Sequence, residues 1–317
     1  MPKGVIWEYP GGLRVLYGGT RTGIRLSRPW QQPIPVPTEP GKCAFCSPRR
    51  EKETIVLGQF GNGWFHLENK FTPLAYHTKV IPPTCWPEEE LRILGGEARI
   101  KEAFANISHV VERESANHDE LWVNAYVGAL AGQNIPHLHY HIIAPERFPD
   151  GTDPNVMARE LAAIRERERA FLRGLHGSPR VFRCVRGSAG LAAVVESIFR
   201  VGQCYIGYFV EIRDEHYEEY IHAPDLGHLA SIVFEVVSGY ALAFKSEQGL
   251  APDFQLFFKF NKRGGELGFS WGSYLPILNH HGSTESVGAI HSGGPLIHPW
   301  MPGETLEALR KAKPNWG

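Results

Sequence analysis

No part of this 317-residue sequence approaches the roughly 18 to 20 consecutive apolar residues that a membrane-spanning helix needs. Net charge is almost absent too: 33 basic against 34 acidic residues leave a formal charge of -1, so no global positive field recruits nucleic acid. The first segment, Met1-Pro-Lys-Gly-Val-Ile-Trp-Glu-Tyr-Pro10, lacks an apolar core of signal-peptide length. Cysteine is scarce and odd in number, five in all, and two of the five stand as Cys43-Ala-Phe-Cys46. Without an export signal, that pair suggests reduced thiols and a metal rather than a disulfide framework. The expectation is a cytoplasmic protein that enters no membrane, and the sequence gives no reason to favour a local basic groove for nucleic acid.

What is present is ordinary for a soluble globular chain: 43% apolar and 21% charged residues, at a length that suits two domains. Residues 1–40 read as an N-terminal extension that closes on the proline-stiffened run Gln32 to Pro40. Residues 41–150 form a first domain. Strand signals occur at Thr54–Leu57, Gly63–Leu67 and Thr78–Ile81, and Pro87-Glu-Glu-Glu opens a helix with a bend at Gly95-Gly96. Leu121–Tyr126 and Pro136–Ala144 then read as antiparallel neighbours. A charged helix bridges 151–180, and 181–317 repeats the order of the first domain with strands near Val181, Cys204, Phe254 and Ser273 and a helix from Asp225 to Lys245. The fold class expected is therefore α+β, as two repeats that each pack helices on an antiparallel sheet. Aligned by eye, Gly132–His141 matches Gly268–Ile277, which sets Ser273, Leu275 and Ile277 against His137, His139 and His141.

The segment His137-Leu-His139-Tyr-His141 carries the chemistry. On a strand alternate side chains share a face, so the three histidines project together while Leu138, Tyr140 and Ile142 face the other way. Three imidazoles on one face are costly to bury without partners. A polar strand face with fortuitous histidines is the plainer alternative.

Together with its flanks, this segment resembles the histidine-triad superfamily, and within it the two-repeat branch of galactose-1-phosphate uridylyltransferase and diadenosine tetraphosphate phosphorylase. The matching pieces are Gly128-Ala-Leu-Ala-Gly-Gln-Asn-Ile-Pro-His-Leu-His139, Cys43-Ala-Phe-Cys46 and Glu68-Asn-Lys-Phe-Thr-Pro-Leu74. They cover residues 41–146 well and 180–280 as a faded copy.

The resemblance implies a zinc ion. A Cys-x-x-Cys pair gives two of the four N/S ligands that a structural zinc takes. By resemblance the others are Cys85, where relatives hold a histidine, and His137; three unrelated cysteines is the alternative. It further implies that His139 is a nucleophile forming a nucleotidyl-histidine, with Gln133 and Asn134 holding phosphate oxygens. His141 stands where the uridylyltransferases carry glutamine, and a histidine there can protonate a leaving group or guide water. Tyr126 replaces an asparagine, for which Asn124 on the same strand face could substitute. Asn69 matches the substrate-binding asparagine, and Lys70 replaces a ribose-binding acid; a lysine cannot accept hydroxyl hydrogen bonds, so it either meets an extra phosphate or is a solvated charge.

The expected activity is nucleotidyl transfer from a nucleotide sugar or nucleoside polyphosphate to a phosphorylated acceptor, with a homodimer left open. The alternatives are a phosphohydrolase or phosphorylase of the same superfamily, or a hydrolase that uses the three histidines to hold a catalytic metal. Cys184 and Cys204 are expected in the second core. His280, His281, His291 and His298 are read either as a second cluster or as surface residues, and His216 as no ligand.

Overall fold

The structure is a computed structural model that describes residues 5–8, 14–17, 43–47, 49–70, 72, 74–133, 135–145, 147–148, 151–175, 181–187, 190–196, 204–209, 221–222, 226–249, 251–277 and 304–314. The late histidines, His216 and Asn134 lie outside the described residues, and so does the proline-rich run.

A short hairpin, β1 (Val5–Glu8) with β2 (Arg14–Tyr17), stands apart from a single 11-stranded sheet. The strands of the large sheet are β3 (Val56–Gln59), β4 (Phe65–Glu68), β5 (His77–Ile81), β6 (Glu120–Val127), β7 (Tyr140–Ile143), β8 (Val181–Gly187), β9 (Gly190–Glu196), β10 (Cys204–Phe209), β11 (Ile221–His222), β12 (Asp253–Arg263) and β13 (Glu266–Ile277). Their order is β3-β4-β5-β7-β6-β12-β13-β10-β9-β8, with β11 on β13, and every pairing is antiparallel. The described helices are α1 (Arg49–Glu53), α2 (Glu88–Leu91), α3 (Glu97–Glu114), α4 (Pro154–Leu175), α5 (Gly227–Gln248) and α6 (Glu304–Ala312).

The α+β class holds, but the expected pair of separate sheets is one sheet. β6 and β12 pair from Val127↔Phe254 to Glu120↔Asn261, which joins the two halves through backbone hydrogen bonds. One core follows from this. Val123, Ala125, Tyr140 and Ile142 of the first half and Leu256, Phe258 and Tyr274 of the second belong to the same buried cluster. Helices α3 and α5 cover that face: Ile100, Phe104, Ile107 and Val111 recur at helical spacing, as do Leu229, Val233, Val236 and Tyr240. The segment Gly227–Ser246 is long and apolar enough to cross a membrane by length and composition, contrary to the first reading of the sequence, yet most of it is buried here as a core helix. The bend expected at Gly95-Gly96 separates α2 from α3, both glycines having positive φ.

The opposite face carries the histidines. Lys79, His141, Asn124, Phe257 and Ser273 lie side by side across five strands. Ser273 therefore shares a row with His141. β12 and β13 turn tightly at Gly264-Gly265, and a register shift follows Lys259.

On the helix side of β4, His66 is 2% exposed; its Nδ1 is 3.3 Å from Arg113 Nη2, and its Nε2 has no hydrogen-bond partner. Burial, reinforced by the Arg113 charge, lowers its pKa from 6.5 to about 4. As the pH falls, the unfolded chain takes up this proton before the folded one does. The stability given by neutral His66 is thus complete above pH 6.5 and is lost as the pH falls towards 4, by on the order of 3 kcal/mol. Urea unfolding at pH 7 and pH 4.5 should show a steeper loss in the wild type than in His66→Gln; equal slopes would refute the assignment.

Candidate active site and metal centre

Only Tyr140–Ile143 of the triad segment is regular strand; His137 to His139 lead into it as irregular chain. The alternation expected of a strand nonetheless persists. Leu138, Tyr140 and Ile142 enter the helix-side core, while His137, His139 and His141 are buried on the other face at 0%, 6% and 9% exposure. The rings follow one another closely: Phe45 meets His137 and His139 edge-on, at 5.7 and 5.4 Å, and His139 meets His141 at 4.8 Å.

The sulfurs of Cys43, Cys46 and Cys85 and a ring nitrogen of His137 all lie within 4.8 Å of one another. His137 Nδ1 faces the thiols at 3.6, 3.5 and 3.3 Å, and Nε2 donates to the Pro82 carbonyl at 2.9 Å. That outer bond fixes the tautomer and aims Nδ1 inward, as a metal-binding histidine requires. The knuckle is closed by Cys46 N–H to the Cys43 carbonyl (3.2 Å) and by Phe45 N–H to the Cys43 sulfur (3.4 Å). Arg50 braces it from α1, donating to the carbonyls of Phe45 and Pro83 with its guanidinium stacked on Phe65.

The four groups govern one another's protons. The hydrogen bond with Cys85, helped by His137, holds the Cys43 thiol down to about 3 against the effect of burial. Cys46 is lowered chiefly by His137, and Cys85, bonded to Cys43, is pushed up. Burial opposes charge on His137, but its bonds to Cys43 and Cys46 outweigh that and raise it to about 9. Three sulfurs and one imidazole nitrogen at this spacing form a donor set that can hold a metal ion, and they suit tetrahedral zinc.

His139 is set differently. Its Nδ1–H donates to the His137 carbonyl at 2.6 Å, which leaves the lone pair on Nε2. Burial is the main cause that lowers its pKa from 6.5 to about 3, the Lys79 charge adding to it, so the ring is neutral at physiological pH. A neutral imidazole held by one nitrogen is the state a nucleophile needs.

His141 bonds through Nδ1 to His77 Nε2 at 2.7 Å, and His77 Nδ1 lies 2.8 Å from Thr72 Oγ1. His77 starts β5 on the triad face, diagonal to His141 and beside Lys79, which is directly opposite His141. The amide nitrogen of Asn69 sits 2.8 and 2.9 Å from the two ring nitrogens of His77. Tyr126 packs edge-on against His141 at 5.7 Å.

The sequence-predicted residues thus converge in part. Asn124 is buried and directly across the ladder from His141. Asn69 touches His77, whereas Lys70 is exposed. Gln133 is buried with its amide engaged inside the turn: its Oε1 accepts from Gly128 N–H at 2.8 Å and its Nε2 donates to the His137 carbonyl at 3.3 Å. The second half grips that same turn. Asp253 accepts from Leu130 N–H (2.8 Å) and from Arg92 (2.6 Å), and Gln255 Nε2 donates to the Ala131 carbonyl at 2.9 Å. Gly128 has φ of +90°, and a Cβ there would fall 2.0 Å from the Asp253 carboxyl carbon, so no other residue fits.

His77, Lys79 and Asp253 escaped the sequence reading. His77 and Lys79 alternate on β5 as the triad does on its own strand, a signal that becomes readable only once β5 is known to pair with β7.

No family model and no curated protein matches the chain. Solved structures do. One titled as a uridylyltransferase has a TM-score of 0.61 at 16% identity, over 97% of this chain and 98% of its own. An ADP-glucose phosphorylase from Arabidopsis thaliana with bound ADP-glucose gives 0.56 at 16%, over 98% and 99%. A GalT-like protein from Arabidopsis thaliana gives 0.53 at 16%, over 88% and 94%. The chain shares the fold of these three structures.

If the cysteine and histidine cluster holds zinc, purified protein should contain one equivalent by metal analysis, and Cys43→Ser should lose it with a lower thermal midpoint. Ligation of this kind contributes on the order of 10 kcal/mol in small zinc modules. Metal-free protein of undiminished stability would remove the site.

Proposed function

We propose that the protein is a zinc-containing nucleotidyltransferase that moves a nucleotidyl group from a nucleotide sugar or nucleoside polyphosphate through a covalent intermediate on His139. The observation that carries this reading is the hydrogen bond of His139 Nδ1 to the His137 carbonyl, in a buried and neutral ring. His139 Nε2 would attack the α-phosphorus, forming the P–N bond as the P–O bond to the leaving group breaks. Lys79, opposite His141, would balance the charge spreading over the phosphoryl oxygens. Zinc would serve as structure, held by Cys43, Cys46, Cys85 and His137. The neighbours titled as a uridylyltransferase and an ADP-glucose phosphorylase support the same class of substrate.

The rival in which three histidines hold a catalytic metal has less support, because only His137 joins the ligand group, with three sulfurs around it. Further support for the reading comes from the sheet. Outward from the β6/β12 pair, the order runs β7-β5-β4-β3 on one side and β13-β10-β9-β8 on the other, and α3 packs on α5. We read this as two copies of one unit, residues 41–150 and 181–317, of which the second is scaffold. Ser273→Ala, in the row of His141 but in the second copy, should then leave turnover within about threefold of wild type; a collapse with the fold intact would place the chemistry in the wrong half.

Mass spectrometry tests the intermediate. Protein mixed with UDP-glucose or ADP-glucose, without acceptor, should gain a nucleotidyl mass that disappears on mild acid treatment. His139→Gly should never form the adduct and should keep its zinc. Loss of zinc in that variant, with no adduct in the wild type for either donor, would sink the covalent mechanism and favour the metallohydrolase.

A further inference from the structure

We infer that strand β12 takes part in the reaction: Asp253 and Gln255 are positioning residues that hold His139 in line through the Gly128–Gln133 turn, with Gln133 as the link. This rests on the covalent reading of His139 and adds to it a part for the half of the chain that holds no triad.

The link begins at the atom that orients the nucleophile. The His137 carbonyl accepts from His139 Nδ1–H at 2.6 Å and from Gln133 Nε2 at 3.3 Å. Gln133 is buried, and its Oε1 accepts from Gly128 N–H at 2.8 Å, so one amide spans the turn from its first residue to the triad. Where the turn goes, Gln133 follows. The turn itself is held from β12: Asp253 Oδ2 accepts from Leu130 N–H at 2.8 Å, and Gln255 Nε2 donates to the Ala131 carbonyl at 2.9 Å. Arg92, at the end of α2, keeps Asp253 in place by donating to its Oδ1 at 2.6 Å and to the Ala251 carbonyl at 2.9 Å, while Glu88 holds the rest of the guanidinium. β12 pairs with β6 on one side and β13 on the other, so Asp253 and Gln255 project from an interior strand that cannot shift alone.

The same bonds give Gln133 a different part from the phosphate-holding one that the resemblance implies. Both ends of its amide are bonded inside the protein. The N–H groups of Gly128, Leu130, Gly132 and Gln133 are engaged as well, the last two by the carbonyls of Ala129 and Gly128 at 3.1 Å. A phosphoryl oxygen would have to displace one of these partners and leave a buried polar atom unsatisfied. Gln133 therefore acts on the substrate through His139 and not by touching it. Attack on phosphorus needs the imidazole nitrogen in line with the bond that breaks, and a displacement of about 1 Å can cost 10²-fold in rate. Fixing the carbonyl that His139 leans on is how β12 reaches the chemistry.

Single-turnover formation of the adduct, followed by mass spectrometry over a range of UDP-glucose or ADP-glucose concentrations, yields a saturating rate and a half-saturating concentration. Gln133→Leu should lower the saturating rate ~10²-fold and leave the half-saturating concentration within about threefold, because aim is lost and donor contacts are kept. Gln255→Glu keeps the shape but turns an acceptor towards the Ala131 carbonyl, and Asp253→Asn loses the charge that Arg92 holds; each should show the same split with a fall of ~10-fold. Gln255 is only half-buried, so its variant serves where Gln133→Leu fails to fold. In the double variant of Gln133 and Gln255 the losses should not multiply, since the second change breaks a chain already broken. Separate structural damage at the two positions would multiply instead. The inference is overturned by that multiplication, by variants that react as the wild type does, or by a raised half-saturating concentration at an unchanged saturating rate, which is the mark of a lost phosphate contact. An absence of adduct in every protein, wild type included, would refute the covalent reading and this inference with it.

Discussion

The main-chain carbonyl of His137 joins the three parts of the site. The ring of that residue faces the cysteine sulfurs, while its carbonyl accepts from His139 Nδ1 at 2.6 Å and from Gln133 Nε2 at 3.3 Å. The ring beside the cysteine sulfurs, the orientation of His139 and the turn geometry are thereby set by one peptide unit. The Pro82 carbonyl, bonded to His137 Nε2, ties the same unit to the end of β5. Pre-organisation of this kind matters because a nucleophile misplaced by about 1 Å can cost 10²-fold in rate. The buried hydrogen bonds also make the arrangement discrete rather than adjustable, since any one of them broken leaves a polar atom dry.

The electrostatic setting divides the five histidines of the region. His137 is drawn towards protonation by thiolates in the absence of metal, and His139 is kept neutral by burial and by Lys79. His66, on the far side of the sheet, is kept neutral by burial, reinforced by the Arg113 charge. His77 and His141 answer to each other. Five copies of one side chain thus take different states from their surroundings, which is why histidine content by itself indicated so little.

Much of the site was legible because its information is local. The period of two fixes which face His137, His139 and His141 share, whatever the rest of the chain does. The two-residue gap in Cys43-Ala-Phe-Cys46 fixes a knuckle. Cys85 and His137, 52 residues apart, were joined to it through resemblance, and they meet it in the structure. What could not be read depends on distant pairing. That β6 would pair with β12, making one sheet where two were expected, is decided by two hydrophobic strands meeting over a common core, and neither strand announces its partner. The same ignorance hid His77, which becomes conspicuous only beside β7.

The grip of Asp253 and Gln255 on the turn at Gly128–Ala131 bears on how such a chain could change over evolutionary time. Strand β12 supplies the carboxylate on which that loop rests, and a Cβ at Gly128 would run into it. Gene fission between the halves would leave each fragment with an unfinished edge strand and the loop without its anchor. Selection on the shape of that loop would thus constrain residues more than 120 positions away in the sequence.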